Sequence, residues 1–491
     1  MNDIQMNPPK VNVVNPVRTK VQHFLKEHTL CPDDICFETV YERFLSEMKL
    51  GLNGKKSSLL MIPTYIDLSD SIPAGEPVIV IDAGGTNLRT ALASFDRDKK
   101  LILESFQNHP MPGTMGEVSK EAFFAEICDY LEPILDRSDK ISFCFSYPVA
   151  ITPNRDGRVI AMSKEVRIPG LAGQLLNENL LEEVRRRRPN DKKTAVLLND
   201  TTATLIGGKA VFPDREFGGY VGLILGTGVN ACYVEDIKNI GKIAQTNAAA
   251  AADVDTGLTA AARGTTASAD DTISKSAPAT GQDTPYSSMI VNLESGGFDR
   301  LPFSDIDRDF DSKTINPGVC LYEKTVSGAY QGGLMLAIAQ QAVRDGLFTS
   351  ESSESILRLP ALTPKEIDDF LFYPHGTNPL ARCIGADTND ALTLFYLIDA
   401  MMDRIALFVT IKITAILQQT DSGKNPLFPV CVTADGTTFY KSKLLREKLG
   451  FYQRTYTRDR YGRHFEFVRA ENAVLTGTAI SALTQTHKIL R

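Results

Sequence analysis

A single carboxylate stands beside a glycine turn in the segment VIVIDAGGTNLRT, residues 78–90. Glycine has no Cβ, so a turn of this kind can bring backbone N–H donors close to a phosphate. The segment contains neither the GKS or GKT of a P-loop nor a G-x-G-x-x-G dinucleotide motif. The residues after the turn alternate apolar and polar side chains, which predicts a second strand. We therefore expect a strand–turn–strand hairpin with Asp82 at its lip.

The segment YVGLILGTGVNACYVE, residues 220–235, repeats this pattern further along the chain. Each copy contains an apolar strand, a turn of glycine and threonine, an asparagine and a second strand. An internal repeat of this kind indicates two related halves. Two glycine hairpins that face one cleft can hold a polyphosphate from both sides. The pair therefore favours nucleotide binding over simple structural turns.

Bulk composition narrows the class of protein. With 491 residues, 43% of them hydrophobic and 23% charged, the chain is long enough for two or more hydrophobic cores. A net charge of -7 argues against a nucleic-acid partner or an anionic membrane partner. The cysteines form no C-x-x-C pair and the histidines no H-E-x-x-H motif. We therefore expect reduced thiols, a cytoplasmic location, and no binding to nucleic acid or membrane.

Strand patterns and helix patterns alternate along the chain. The longest apolar segment, 391–417, contains four charged side chains, which predicts a core helix and not a membrane span. The other predicted elements are helices at 17–30 and 36–52, strands between 78 and 110, a helix at 119–135, a strand at 141–148, a strand from 194 that becomes helical after 200, and a helix at 473–490.

Residues 244–285 interrupt this alternation. Alanine, threonine, serine, aspartate and glycine dominate the segment, and it has almost no large apolar side chain. Such a composition cannot offset the entropy lost on ordering, so we predict a disordered surface insertion.

Alternating elements, a repeated hairpin and a long central helix predict an α/β chain of two lobes. We expect the chain to cross between the lobes near residues 76 and 200. The predicted small lobe comprises 77–200 and about 470–491, and the predicted large lobe comprises 1–76 and 201–469. The C-terminal helix would then return to the small lobe.

Several motifs occur in an order that is typical of one family. IDAGGTNLR (81–89) and LGTGVNACY (225–233) look like its two phosphate motifs, and VTADGTTFYK (432–441) is similar to its adenosine motif. From SSLLMIPTYI at 57 to the C-terminus, with the exception of 244–285, the chain resembles the hexokinase family of the sugar-kinase, actin and heat-shock ATPase superfamily. The resemblance implies a two-lobed actin-like ATPase fold, in which each lobe is a ribonuclease-H-like mixed sheet flanked by helices, with a cleft between them.

The resemblance also implies a set of site residues. The nucleotide-binding residues would be Asp82, Gly84, Gly85, Thr86, Asn87, Arg89, Gly226, Thr227, Gly228, Asp435, Gly436 and Thr437. The segments FSYP, MSK, LLND, GTGVN, NLESGG and NPGVCLYEK would supply the hexose-binding residues, which are Ser146, Ser163, Lys164, Asn199, Asp200, Asn230, Glu294 and Glu323. Of these, Asp200 would be the catalytic base and Lys164 a second catalytic residue.

These residue types suit phosphoryl transfer to a sugar. The hydroxyls of a pyranose each donate and accept, so carboxylates and amides are the appropriate partners. The attacking hydroxyl is neutral and benefits from a carboxylate that accepts its proton, the role expected of Asp200. Lys164 would place positive charge near the transferred phosphoryl group. Asp82 would hold Mg²⁺ through water, because Mg²⁺ usually keeps several waters beside nucleotide phosphates.

Taken singly, these residues have simpler interpretations. Asn199 and Asp200 could form a helix cap, Ser146 could end a strand, Lys164 could be a solvated surface residue, and Glu323 could begin an exposed helix. Their joint order favours a sugar kinase over these separate alternatives.

The predicted activity is ATP-dependent phosphorylation of glucose or a related hexose at the 6-hydroxyl. The alternatives are a kinase for another sugar or with another phosphoryl donor, and a catalytically silent sugar sensor of the same fold. A binding module needs neither a base nor a cation facing the phosphate, so Lys164 and Asp200 speak against the sensor.

The chain departs from the family pattern at four positions. Ser163 stands where the family usually has threonine and keeps the hydroxyl for the sugar contact. Met162 and Ser295 stand where the family usually has tryptophan, and Cys320 stands where it often has glutamine. The two lost indoles weaken packing behind the sugar site, and the lost glutamine removes an amide donor.

Overall fold

Two mixed β-sheets carry the two glycine hairpins. The computed structural model describes residues 15–68, 72–162, 166–243 and 287–484. The insertion predicted at 244–285 lies outside the described residues, as do Ser163 and Lys164.

The strands and helices alternate as the sequence predicts. In chain order the strands are β1 Ile62–Pro63, β2 Val78–Ala83, β3 Asn87–Phe95, β4 Leu101–Pro110, β5 Lys140–Phe145, β6 Val149–Ile151, β7 Gly157–Val159, β8 Thr194–Leu198, β9 Tyr220–Leu225, β10 Val229–Asp236, β11 Ser288–Asn292, β12 Val430–Asp435 and β13 Phe465–Val468. The α-helices are α1 Pro16–Glu27, α2 Phe37–Leu52, α3 Lys120–Leu131, α4 Leu176–Arg187, α5 Asp200–Val211, α6 Asp305–Ser312, α7 Leu321–Val326, α8 Gly328–Arg344, α9 Ser350–Leu357, α10 Pro364–Phe372, α11 Pro379–Ile384, α12 Thr388–Gln419, α13 Thr437–Lys441, α14 Leu445–Tyr452 and α15 Ala473–Leu483.

The two large sheets share one topology. Their strand orders are β4-β3-β2-β5-β8 and β1-β11-β10-β9-β12-β13. In each sheet an antiparallel hairpin, β2–β3 or β9–β10, is followed by two parallel pairings, β2–β5–β8 or β9–β12–β13. This arrangement confirms the internal repeat that the two glycine segments predicted. The edge strand β1 is an addition to the second sheet.

The central strands are buried because helices cover the sheets. Every residue of β2 is buried, which explains why its sequence is a continuous apolar run and not an alternation. Helix α15 packs against β2, β5 and α5. A Cβ on Gly477 of α15 would lie 1.9 Å from the Ala203 carbonyl oxygen, so only glycine permits this close crossing of α15 and α5. The crossing fixes α5, whose first residue is Asp200.

Helix α12 is the long apolar segment of the sequence, and it is a core helix as predicted. Most of its side chains are buried, and these include the charged residues Arg404 and Lys412. Among the residues that the structure describes, no helix is both long enough and apolar enough to cross a membrane.

His28 joins α1 to two distant acidic residues. Its Nδ1 lies 2.7 Å from Asp305 Oδ2, and its Nε2 lies 2.7 Å from Asp345 Oδ2. Burial alone would lower the pKa of His28, but the hydrogen bonds to Asp345 and Asp305 outweigh burial and raise it. The folded protein therefore binds a proton at His28 more tightly than the unfolded chain does.

The His28 contacts should stabilise the fold at acidic pH and lose this effect at alkaline pH. A group whose pKa is raised by folding stabilises the folded state fully at pH values below its pKa in the unfolded chain, which is near 6.5 for histidine. This stabilisation is lost as pH rises through its pKa in the folded state. His28→Gln should therefore lower the free energy of unfolding by about 1 to 2 kcal/mol at pH 6 and by much less at pH 9. Urea denaturation at both pH values measures this difference.

His23→Gln is the matched control, because the His23 side chain is 85% exposed. It should have little effect at either pH. An equal loss of stability in His28→Gln at pH 6 and pH 9 would contradict the protonated contact.

Candidate active site

The turn between β2 and β3 is open to solvent. The Gly84 N–H donates to the Asn87 carbonyl over 2.9 Å and closes the turn. Gly85 and Thr86 are exposed at its tip. Their peptide groups therefore have the exposure that a phosphate-binding turn needs.

Asp82 is buried directly behind this turn, with only 4% of its surface exposed. Its Oδ2 accepts a hydrogen bond from Arg89 Nη1 over 2.9 Å. The thiol of Cys144, which is opposite Asp82 in the parallel pairing of β2 with β5, lies beside the carboxylate and lowers its pKa slightly. Burial raises the pKa of Asp82, the Arg89 charge opposes this rise, and the charge of Asp200 adds to it.

The turn between β9 and β10 lies against the segment that follows β12. The Gly226 N–H donates to the Gly228 carbonyl over 3.0 Å, and Thr227 is exposed. Gly436 has a φ of 117°, and a Cβ on it would lie 2.4 Å from the carbonyl carbon of Leu225. The fold therefore brings the second glycine turn and the ADGT segment into backbone contact, although about 200 residues separate them.

Asp200 begins helix α5. The side chain of Asn199 caps this helix by accepting a 2.9 Å hydrogen bond from the Thr201 N–H. The Thr201 hydroxyl bonds to the Asp200 carboxylate over 3.2 Å, and the nearby Ser146 hydroxyl also stabilises its charged form. Burial raises the pKa of Asp200, these hydrogen bonds oppose the rise, and the charge of Asp435 adds to it. A raised pKa makes Asp200 a stronger proton acceptor than an ordinary carboxylate.

Asp200 is the centre of a group of acidic residues from both sheets. Its charge raises the pKa of Asp82, which lies on the first sheet, and of Glu294, which follows the second. Asp435, at the end of β12, in turn raises the pKa of Asp200. The four carboxylates therefore share one region, and its negative charge matches a cation-bound polyphosphate.

Glu294 lies within a network of amides. Asn292 Nδ2 donates to Glu294 Oε1 over 2.7 Å, and Asn230 Nδ2 donates to Asn292 Oδ1 over 2.8 Å. Glu294 has a φ of 55°, in the left-handed region that non-glycine residues seldom adopt. Burial raises its pKa to about 7, with the charges of Asp200 and Glu323 adding to the rise and the two amides opposing it.

Glu323 reaches the same region from the short helix α7. Its Oε2 accepts a hydrogen bond from the Val229 N–H over 3.3 Å. A Cβ on Gly228 would lie 3.1 Å from this oxygen, and one on Gly296 would lie 3.4 Å from it. Both glycines therefore leave room for the carboxylate.

Two family models, each described as hexokinase, match residues 20–210 and 220–484. The chain belongs to the hexokinase family. This assignment confirms the resemblance carried by the motifs, and with it the predicted enzyme class, a phosphotransferase.

Curated hexokinases are similar over most of the chain. Hexokinase-5 of Oryza sativa subsp. japonica is 26% identical over 432 residues, which cover 82% of this chain and 76% of the relative. Hexokinase-1 of Schizosaccharomyces pombe is 25% identical over 364 residues, which cover 70% of this chain and 66% of the relative.

Solved hexokinase structures share the fold. A hexokinase from Schistosoma mansoni complexed with glucose aligns with a TM-score of 0.70 and 21% identity, covering 95% of this chain and 99% of that one. A second hexokinase structure aligns with a TM-score of 0.69 and 18% identity, covering 94% and 99%. The mixed sheets and this alignment confirm the predicted two-lobed actin-like fold.

The structure brings together nine of the twenty residues expected from the hexokinase motifs. One continuous set of contacts and charge interactions links Asp82, Arg89, Ser146, Asn199, Asp200, Asn230, Glu294, Glu323 and Asp435. Helix capping by Asn199, one of the simpler interpretations, is confirmed, and it occupies the oxygen of that amide. The positions of Ser163 and Lys164 lie outside the described residues.

Three residues in these contacts were not predicted. Thr201 bonds to Asp200 and directly follows the predicted Asn199–Asp200 pair. Asn292 donates to Glu294 two residues later, and a spacing of two on a strand places side chains on one face, so the NLE sequence contained a usable signal. Cys144 lies beside Asp82 only because β5 aligns beside β2. Nothing in the local sequence indicates that alignment.

The carboxylates fit Mg²⁺ that arrives with a nucleotide. Within the described ranges, no group of three or more His, Cys, Asp or Glu residues is close enough to hold a metal ion by itself. Asp82 and its neighbours nevertheless supply hard oxygen donors and an excess of negative charge, and Mg²⁺ commonly takes one or two carboxylates together with phosphate oxygens and water.

Proposed function

We propose that this chain transfers the γ-phosphoryl group of ATP to the 6-hydroxyl of glucose or a related hexose. The observation that carries the proposal is the position of Asp200. It begins α5, and its charge interacts with Asp82 and Asp435, which adjoin the glycine turns, and with Glu294 in its amide network. These interactions with both groups of residues support a base that serves a bound nucleotide and a bound sugar together.

The sugar would be held by polar side chains that are already oriented. Asn230, Glu294 and Glu323 are fixed by hydrogen bonds to neighbouring groups, and Ser146 lies near Asp200. Such prior ordering lowers the entropic cost of binding. Ser163 and Lys164 keep the sugar-binding and phosphate-facing roles that the family motifs imply.

Asp200 would take the proton from the attacking hydroxyl as the phosphorus–oxygen bond forms. Burial has already weakened the hydration of this carboxylate, so less water has to be displaced before proton transfer. The glycine turns would position the phosphates through backbone N–H groups. We expect the two lobes to close over the sugar, because water in an open site would compete for the phosphoryl group.

Mg²⁺ bound with ATP would neutralise charge that develops on the transferred phosphoryl group. We propose that Asp82 holds it through water. Arg89 bonds to one oxygen of this carboxylate, Oδ2, and would hold the side chain in place.

The remaining assignments follow from the same features. We propose lobe boundaries at 77–200 plus about 470–491 and at 1–76 plus 201–469, which place each large sheet wholly in its own lobe. We propose a cytoplasmic glycolytic role, which is supported by eight cysteines that are all free thiols.

A coupled assay with glucose, fructose, mannose and N-acetylglucosamine, each with ATP and with other nucleoside triphosphates, tests the activity. The proposal expects ATP-dependent turnover of glucose or a related hexose. Sugar binding by calorimetry without turnover for any pair would favour the silent sensor, and turnover only with another sugar or donor would favour the other kinase alternative.

Glu294→Gln should chiefly weaken sugar binding. A carboxylate hydrogen bond contributes about 1.5 to 3 kcal/mol, so the sugar KM should rise about 10- to 100-fold while kcat falls much less. Steady-state kinetics at pH 8 measure both quantities. Glu235→Gln is the matched control, because Glu235 is also buried and hydrogen-bonded but bonds to Tyr233, Asn239 and Gln419. An unchanged KM in Glu294→Gln would contradict its role.

The pH profile gives a second test of Glu294. Its pKa is raised to about 7, so the carboxylate becomes protonated below neutral pH and loses acceptor capacity. Sugar kcat/KM for the wild type should therefore fall as pH drops through about 7, since this parameter reports ionisations of the free enzyme. In Glu294→Gln, kcat/KM should not fall as pH drops through about 7. If the fall persists in this variant, the ionisation belongs to another group.

A further inference from the structure

One buried lysine forms no ion pair with any acidic residue that the structure describes. Lys412 lies in the middle of α12 and is completely buried. Its Nζ donates to Ser295 Oγ over 3.3 Å and lies 5.1 Å from the centroid of the Tyr322 ring. The buried Lys324 and Arg404, by contrast, are paired with Asp311 and Asp307.

A lysine buried in this way destabilises the folded protein, and this loss of stability points to a role for the residue. Removing an ammonium group from water is unfavourable unless a compensating partner is present. Burial lowers the pKa of Lys412 to about 7, and either protonation state can donate to the Ser295 hydroxyl. A methionine at this position would fill the space without that penalty.

The contacts of Lys412 adjoin both carboxylates of the proposed sugar site. Ser295 directly follows Glu294, and Tyr322 directly precedes Glu323. The Ser295 N–H also donates to Asn230 Oδ1 over 3.1 Å. One side chain therefore touches the segments that carry Glu294 and Glu323, which are separated by 29 positions in the sequence.

Each contacted segment contains a feature that neighbouring contacts have to hold in place. Glu294 has the strained left-handed backbone conformation, with a φ of 55°, and such a conformation persists only when neighbouring contacts hold it. The Tyr322 hydroxyl is buried without a hydrogen-bond partner in the described structure. Packing and the lysine over its ring are then what hold this side chain in place.

We propose that Lys412 is a positioning residue for sugar binding. It holds the Ser295 hydroxyl and the Tyr322 ring at a fixed separation, and thereby sets the distance between the Glu294 and Glu323 carboxylates. The proposal rests on the proposed hexokinase activity, because it assigns the two carboxylates to the sugar. It predicts an effect on hexose affinity and selectivity and little effect on the phosphoryl-transfer step.

A double-mutant cycle tests this role. Lys412→Met and Ser295→Ala should each raise the glucose KM and the calorimetric glucose Kd about 10-fold, with kcat within about 2-fold of the wild type. The double variant should be no worse than the more impaired single variant, because both changes remove one interaction. Lys448→Met is the control: Lys448 also contacts α12, through Asp399 and Asp403, and its loss should lower the urea midpoint without changing KM.

An unchanged glucose KM and Kd in a folded Lys412→Met would overturn the proposal. If Lys412→Met does not fold, Ser295→Ala alone tests the proposal. An unchanged glucose KM in Ser295→Ala would then overturn it. A similar KM rise in Lys448→Met would also overturn it, because general loosening of the core would then explain the effect. Absence of hexose binding and turnover in the wild type would instead refute the proposed function.

Discussion

Asp200→Asn should lower kcat about 10²- to 10⁴-fold, the usual effect of losing a general base. Asparagine keeps the shape of the side chain and one hydrogen-bond acceptor, but it cannot take the proton from the sugar hydroxyl. Hexose Kd should change far less, because Asn230, Glu294 and Glu323 still hold the ring. Rapid-quench measurement of kcat and calorimetric measurement of Kd separate the two effects.

Asp390→Asn provides the matched control for Asp200→Asn. Asp390 is also a buried aspartate, but it accepts hydrogen bonds from Thr349, including one of 2.6 Å from its hydroxyl. Its replacement should reduce stability and leave kcat near the wild-type value. A near-wild-type kcat in folded Asp200→Asn would remove Asp200 from the mechanism and leave it as a helix-start residue only.

Arg404→Met should lower the stability of the fold more than the loss of any exposed ion pair. Arg404 Nη1 and Nη2 donate to the two oxygens of Asp307 over 3.3 and 2.5 Å, and both residues are buried. Removing one partner of a buried ion pair leaves the other charge uncompensated, which costs about 3 to 5 kcal/mol. Urea denaturation followed by circular dichroism measures this loss.

Two further variants test the cause of the Arg404 effect. Arg404→Met combined with Asp307→Asn should be more stable than Arg404→Met alone, because no unpaired charge remains. Arg358→Met removes an exposed ion pair with Glu354 and should have little effect. Equal losses in Arg404→Met and Arg358→Met would show that burial of the pair is not what matters.

The glycine hairpins could be predicted from the sequence because their signals are local. The VIVID run, the glycine turn and the alternation after it lie within 13 residues, 78–90. The position of Asp200 could also be predicted from the sequence. When a strand ends at a polar pair and a helix follows, the pair lies at the edge of the sheet. In both cases the fold adds burial, which raises the pKa of Asp82 and Asp200.

Other parts of the site depend on contacts between distant segments. The backbone contact of Gly436 with Leu225 requires β9 and β12 to be neighbours, and no local pattern specifies that pairing. In the sequence, the charge of Lys412 indicated only that the apolar segment around it does not cross a membrane. Its contact with Ser295, 117 positions away, arises from how α12 packs against other helices, including α7.

The position and identity of the phosphorylated group test the central claim most directly. The purified chain can be incubated with ATP, Mg²⁺ and uniformly ¹³C-labelled glucose, and the product examined by ³¹P and ¹³C NMR. We expect ADP and a sugar phosphate whose phosphorus couples to C6, with formation nearly abolished in Asp200→Asn. A phosphate at another carbon, or ADP formed without any sugar phosphate, would contradict hexose 6-phosphorylation by this chain.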